Sequence, residues 1–231
     1  MTVKLNQSLA ELANEIIARR EIDAHQVKLI RLQVFSESRI LERMLEDGII
    51  DENEAEILFA INDALSGGNY DPSWRDLFVE AITSHVLKDE ISPGILDEKE
   101  AQFIVSRIKR NDGIGPVELE LLVSISASVK SAPPSFQSFV LDALKTAVLR
   151  DHVVDVQDAQ MIRRVIFGSG SSSGKVVDEM EKTFLRQVKE ATAGSGKNHP
   201  SWDILQLEMR ISDEIQPKEG EEASTERYPY H

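Results

Sequence analysis

Three segments carry residue types that could do chemistry. Gly170-Ser171-Ser172-Ser173-Gly174 matches Gly-x-Ser-x-Gly, the pattern that exposes a nucleophilic serine on a tight strand-to-helix turn. The same run, followed by Lys175, has the glycine content of a loop that cradles phosphate. His85 is a third candidate, as a base or a metal ligand. None of them has its complement. A helical stripe ending in Ile166-Phe167 precedes the serine run, where the elbow needs a strand. The glycine spacing lacks the four-residue gap of a phosphate loop, and Val176 stands where Ser or Thr is required. His85 shares a helix face with Trp74, Phe78 and Ala81 and has no Glu or His partner at metal-ligand spacing, so it is expected to be a packed, half-buried histidine. No cysteine is present, which excludes disulfides, thiolate zinc sites and a Cys nucleophile. The expectation is a non-enzymatic protein, with an enzyme working through carboxylates alone as the remotest alternative.

The elements that would position these residues are helices. Leu9, Leu12 and Ile16 share one face, as do Val27, Ile30, Val34, Leu41 and Met44, with Glu37 interrupting. Leu58, Ile61 and Leu65 make another stripe, as do Ala101, Ile104 and Ile108, then Val177, Met180, Phe184 and Val188. No alternating strand pattern competes. The spacing predicts about ten helices and more than about 60% helix, far above the usual third. Ser8-x-x-Glu11, Asp51-x-x-Glu54 and Asp97-x-x-Glu100 read as capping boxes. Pro72, Pro116, Pro134 and Pro200 suit first helical positions, where the missing N–H costs nothing.

An internal repeat orders the chain. Pro72-Ser73-Trp74 opens a segment ending Val86-Leu87-Lys88-Asp89, and Pro134-Ser135-Phe136 opens one ending Val148-Leu149-Arg150-Asp151. Ala81 then matches Ala143, and His85 matches Ala147. After a four-residue gap at Ile91-Ser92-Pro93-Gly94, Asp97 matches Asp155 and Ala101 matches Ala159. Pro200-Ser201-Trp202 is a third echo. The fold class expected is all-α: tandem helix–loop–helix repeats stacked on a shared core, with Trp74, Phe136 and Trp202 as its anchors. The domains expected are a helical-repeat body over 1–167, a Gly/Ser linker over 168–175, a C-terminal helical pair within 176–215 and an acidic disordered tail over 216–231.

Two family resemblances attach to these turns. Asp47-Gly48-Ile49-Ile50-Asp51-Glu52-Asn53-Glu54 resembles the second half of an EF-hand loop, with glycine at position six, an apolar residue at eight and acids at nine and twelve. Asp151-His152-Val153-Val154-Asp155-Val156-Gln157-Asp158 is a weaker copy with His152 at the glycine position. The chain is also similar to the tellurite-resistance TerB-like domains, which are all-helical with repeated Asp-Gly turns before Glu-containing helices. Only Asp89 to Glu100 keeps the full twelve-residue length. The EF-hand resemblance makes Asp89, Asp97 and Glu100 its metal ligands, with the Ile95 carbonyl, and calcium its ion. Ile91 and Pro93 occupy positions three and five, which leaves about five oxygens where calcium takes six to eight. Arg43 and Leu45 deny the 47–54 loop its ligands in the same way.

Charge supplies the last bound. Lys and Arg total 26 against 40 Asp and Glu in 231 residues, a net charge of −14. That disfavours nucleic acid and anionic membrane as partners and suits a basic protein partner. No apolar run approaches the roughly 20 residues of a membrane span. No secretory signal is visible at Met1-Thr2-Val3, so the cytoplasm is the expected compartment. The functional expectation is a protein-interaction or regulatory module, cofactor-free, with weak calcium binding through 89–100 as the alternative.

Overall fold

A computed structural model describes residues 8–35, 50–87, 94–110, 113–168 and 177–215, with side chains up to 208. Of the described residues, 74% are helical. Ten helices lie among the described residues: α1 Leu9–Arg19, α2 Ala24–Phe35, α3 Glu52–Leu65, α4 Ser73–Leu87, α5 Glu98–Ile108, α6 Pro116–Ser128, α7 Pro134–Val148, α8 Val156–Phe167, α9 Glu179–Thr192 and α10 Pro200–Ile215. The chain divides into two compact units, 1–144 and 145–231. Most of the expected 168–175 linker, and all of the 216–231 tail, lie outside the described residues.

Helix starts are set locally. Ser8, Asp51, Asp97, Asp155 and Asp178 each accept the N3 amide, while the N3 carboxylate of Glu11, Glu54, Glu100, Asp158 or Glu181 takes the cap residue's own N–H. Asp23 and Gln26 exchange the same two bonds before α2, at 2.8 and 3.1 Å. Six helices therefore begin on one device, which satisfies two of the donors that a helix N-terminus leaves open. The residue before the acid is apolar and buried in five of them: Ile22, Ile50, Leu96, Val154 and Val177. In four, the N4 position (Val27, Ala55, Ala101, Ala159) is buried too, which is the placement of a hydrophobic staple.

Among the described residues the helices recur in threes rather than in pairs. After α1, the triplets α2–α4, α5–α7 and α8–α10 have lengths of 12, 14 and 15, then 11, 13 and 15, then 12, 14 and 16 residues. Each triplet is entered through a left-handed residue three positions before its first cap: Arg20 at φ 57°, Gly94 at φ 79° and His152 at φ 58°. Arg20 and His152 are the positive-φ non-glycine residues of the described chain. Both hold a conformation that normally favours glycine.

Each entry loop clasps the loop before its triplet's third helix. In the first triplet, β1 (Glu21–Ile22) runs parallel to β2 (Asn69–Tyr70), and the Ile22 carbonyl accepts from Asp71 N–H at 3.0 Å. Gly68 is needed there, because a Cβ would stand 2.5 Å from the Arg20 carbonyl oxygen. In the third triplet the Val154 carbonyl accepts from His199 N–H at 2.8 Å, at the same distance before the buried Trp. In the second, Pro133 holds that position and has no N–H to give. The clasp shifts: Leu96 N–H donates to Ser131 O at 3.0 Å, and Lys130 N–H to Gly94 O at 2.7 Å. Leu96 and Val154 thus join loops through their backbones. Ile50 differs, since its carbonyl takes a histidine ring N–H instead.

The three repeat anchors sit in the core. Trp74, Phe136 and Trp202 are 0%, 1% and 2% exposed. Each also closes the same turn, with its N–H donating to the carbonyl of Asp71, Pro133 or His199 three residues earlier at 2.9 to 3.0 Å.

Candidate functional site

The 89–100 segment carries the metal ligands that the resemblance implies. Asp89 lies outside the described residues. Asp97 and Glu100 are brought together, but by each other. Asp97 Oδ1 accepts Glu100 N–H at 2.8 Å, and Glu100 Oε2 accepts Asp97 N–H at 2.9 Å. Gly94 holds the left-handed turn expected of loop position six. Its open side is covered by the aliphatic stem of Lys130, whose Cε would lie 3.4 Å from a Cβ at that position. The loop therefore offers its two placed carboxylates to backbone amides and carries a lysine along its turn. Among the described residues no three His, Asp or Glu side chains converge in a way that could hold a metal ion.

The other copies of the turn behave alike. Asp51 with Glu54 and Asp155 with Asp158 are both reciprocal caps. Asp158, with a shorter side chain than Glu, is drawn close to its neighbours. Burial first, and then the charges of Asp155 and Asp151, push its carboxyl up to about 6 against the bond it accepts from Asp155. The Asp47-Gly48 turn and the Gly170–Gly174 serine run lie outside the described residues.

His85 is half-buried and packed, as its helix face suggests. Its Nδ1 donates to the Ile50 carbonyl. A carbonyl can only accept, so Nδ1 carries the hydrogen. The ring lies 5.6 Å from Phe103, which in turn carries the Arg107 guanidinium at 3.9 Å. Arg107 and Arg110 both bond Glu56. Burial raises the Glu56 carboxyl, but the bonds and charges of the two arginines outweigh it and hold the group below its usual range. The cluster ties α3 to α4 and α5.

One buried polar chain escaped the sequence reading. Trp74 Nε1 donates to Asn62 Oδ1 at 3.3 Å, and Asn62 Nδ2 donates to Glu118 Oε1 at 2.7 Å. All three residues are buried. Glu118 occupies the N3 position that holds the capping carboxylate in the other triplets, but here the cap residue is Gly115, with no side chain to offer. Glu118 Oε2 fills that space, 2.6 Å from where a Gly115 Cβ would stand. A signal for Asn62 existed: it follows Leu58 by four residues, between Ile61 and Leu65, on the stripe read as core.

What this arrangement can do chemically is limited. Its carboxylates accept from backbone N–H groups, from Asn62 or from arginines, so each described acid in the repeat turns has a structural partner. No described helix is long and apolar enough to cross a membrane. Comparison with protein-family models, with curated proteins and with solved structures finds no match to this chain.

Proposed function

We propose that this chain is a non-enzymatic helical-repeat protein that acts by binding another protein. The observation that carries this reading is the engagement of the repeat's acids in reciprocal helix caps at five of its helix starts. Large apolar side chains meanwhile point outward at Leu32, Ile204 and Leu207. Exposed apolar groups on a charged surface are the material of interfaces. The net charge of −14 favours a basic partner. The test is reconstitution: a partner captured by the tagged full chain, then purified, should form a stoichiometric complex in a calorimetric titration. Turnover of a small molecule by the purified chain, with no stoichiometric protein complex, would overturn the reading.

Calcium binding at Asp89, Asp97 and Glu100 is the second reading. It is favoured by the left-handed Gly94 at the position where an EF-hand loop turns. On this reading the two capping carboxylates must leave backbone amides to reach the ion. Affinity would then fall at the millimolar end of calcium modules.

A further inference from the structure

We propose that α1 is a shortened third helix holding a helix-binding seat on α3, and that a longer amphipathic helix of a partner protein displaces it. The proposal rests on the protein-binding reading above and names its site. Val79, Ile82 and Val86 on α4, and Leu141, Leu144 and Val148 on α7, lie five, eight and twelve residues after the anchors Trp74 and Phe136, and all are buried. Leu9, Leu12 and Ile16 repeat this i, i+3, i+7 stripe on α1 and are buried too. The match continues past the helix end. Arg20 follows Ile16, and His152 follows Val148, by four residues. Both are left-handed, and each stands three residues before a cap, Asp23 or Asp155. The seats correspond as well. α1 packs on α3 and α4 packs on α6, in each case on the middle helix of the triplet that follows.

α1 is the weaker occupant. It has 11 residues where α4 and α7 have 15, and it begins at the register of Val79 and Leu141. It therefore lacks the Pro-Ser-aromatic opening, and the sequence has Lys4 where the anchor would stand. A helix that carries the missing turn and an aromatic has more apolar surface to bury. Arg20 ties down the far end of α1, its guanidinium donating to the Ala64 and Ser66 carbonyls at 3.2 and 3.1 Å, so displacement starts at Leu9. A second copy of the chain has no free helix to offer. Its α4 and α7 bury the stripe, and its α10 has Leu207, Arg210 and Glu214 at the three positions. Exchange of α1 between copies would open one seat for each it filled. The ligand class is a foreign helix of about four turns, with an aromatic followed by large aliphatic residues five, eight and twelve positions on.

The probe is a labelled synthetic peptide with the sequence of residues 134–150, which carries the full pattern, titrated with the full chain and followed by anisotropy. Leu9→Ala loosens the free end of α1. It should bind the probe saturably at one to one, at least about fivefold more tightly than wild type, because α1 competes as a tethered ligand. Leu12→Ala with Ile16→Ala should raise the affinity further. If that variant is unfolded alone, the probe should refold it, read by circular dichroism. A probe carrying Leu144→Asp should not bind, since it would bury an unpaired charge in the seat. Equal binding of the probe by wild type and Leu9→Ala would overturn the proposal. So would equal binding of the Leu144→Asp probe, or no binding by either variant. If Leu9→Ala fails in this way while a native protein complex can be reconstituted, the seat is wrong and the protein-binding reading stands. If no protein complex can be reconstituted, that reading itself fails.

Discussion

The third helices of the first and last triplets begin on the same turn, yet one is capped by a carboxylate and the other by an imidazole. Asp71 Oδ1 accepts Ser73 N–H at 3.0 Å and the Ser73 hydroxyl at 2.5 Å. His199 Nδ1 accepts Ser201 N–H at 3.2 Å. Around them the frame is the same: proline, serine, a buried tryptophan, and a backbone N–H reaching the entry loop. In the middle triplet Pro133 replaces both and the clasp shifts instead. The repeat is thus defined by backbone bonds and buried anchors. In the first and last triplets the capping side chain is interchangeable so long as it accepts, and the middle triplet places a proline there instead.

The largest effects should come from the anchors. Trp74→Ala and Trp202→Ala should each cost the 3–5 kcal/mol, roughly, of a large core truncation, read by chemical denaturation. Near-equal losses would support equivalent anchors, whereas a near-silent Trp202→Ala would break the comparison. Next comes the buried polar chain at Trp74. Asn62→Ala strands the buried Glu118 carboxylate and should cost at least about 2 kcal/mol. The third triplet has no counterpart to this, because Glu181 there is an ordinary cap.

The caps come third. Asp71→Ala and His199→Ala should each lower stability at neutral pH, by less than either anchor truncation. Acid should test the first of them. The two bonds from Ser73 hold the Asp71 carboxyl below its ordinary value of 3.8. Its contribution is therefore complete above 3.8 and fades only as pH falls through the lowered value. Melting Asp71→Ala beside wild type from pH 7 downward should show the penalty steady until that range and fading below it. A penalty that stays constant into strong acid would mean that the Asp71 carboxylate is not the cap.

The smallest effect concerns Asp158. With its carboxyl raised to about 6 against 3.8 in the unfolded chain, the native state binds the proton more tightly. Stability from this group is therefore greatest below 3.8 and falls as pH rises through 6. Asp158→Asn should raise the melting temperature by about 2 °C at pH 7.5, a figure reduced for solvent screening, and by little at pH 4.

What was legible in the sequence follows from range. Ser8 with Glu11, Asp51 with Glu54 and Asp97 with Glu100 are contacts three residues apart, so residue types alone reveal them. Trp74, Phe136 and Trp202 declared themselves by repeating beside a proline. The Asn62–Glu118 bond spans 56 residues and the Arg107–Glu56 pair 51, and no local pattern announces which distant side chain a polar group will meet. The three-helix period was masked because its middle helices lack the Pro-Ser-aromatic mark and vary at the cap, with Asp51, Gly115 and Asp178 in turn. The left-handed Arg20 and His152 were hidden for a related reason. Glycine is the residue that signals this conformation, and neither position has it.

The central claim is that the repeated carboxylates are helix caps in a protein-binding repeat. A calorimetric calcium titration of wild type and Glu100→Gln, with both melted alongside, tests it most directly. The account predicts no saturable heat up to about 5 mM calcium, a range that reaches the weakest calcium modules. It also predicts an almost unchanged melting temperature for Glu100→Gln, because glutamine still serves at the third position of a capping box. Saturable calcium binding by wild type that Glu100→Gln abolishes would contradict it, and would make Asp89, Asp97 and Glu100 an ion site.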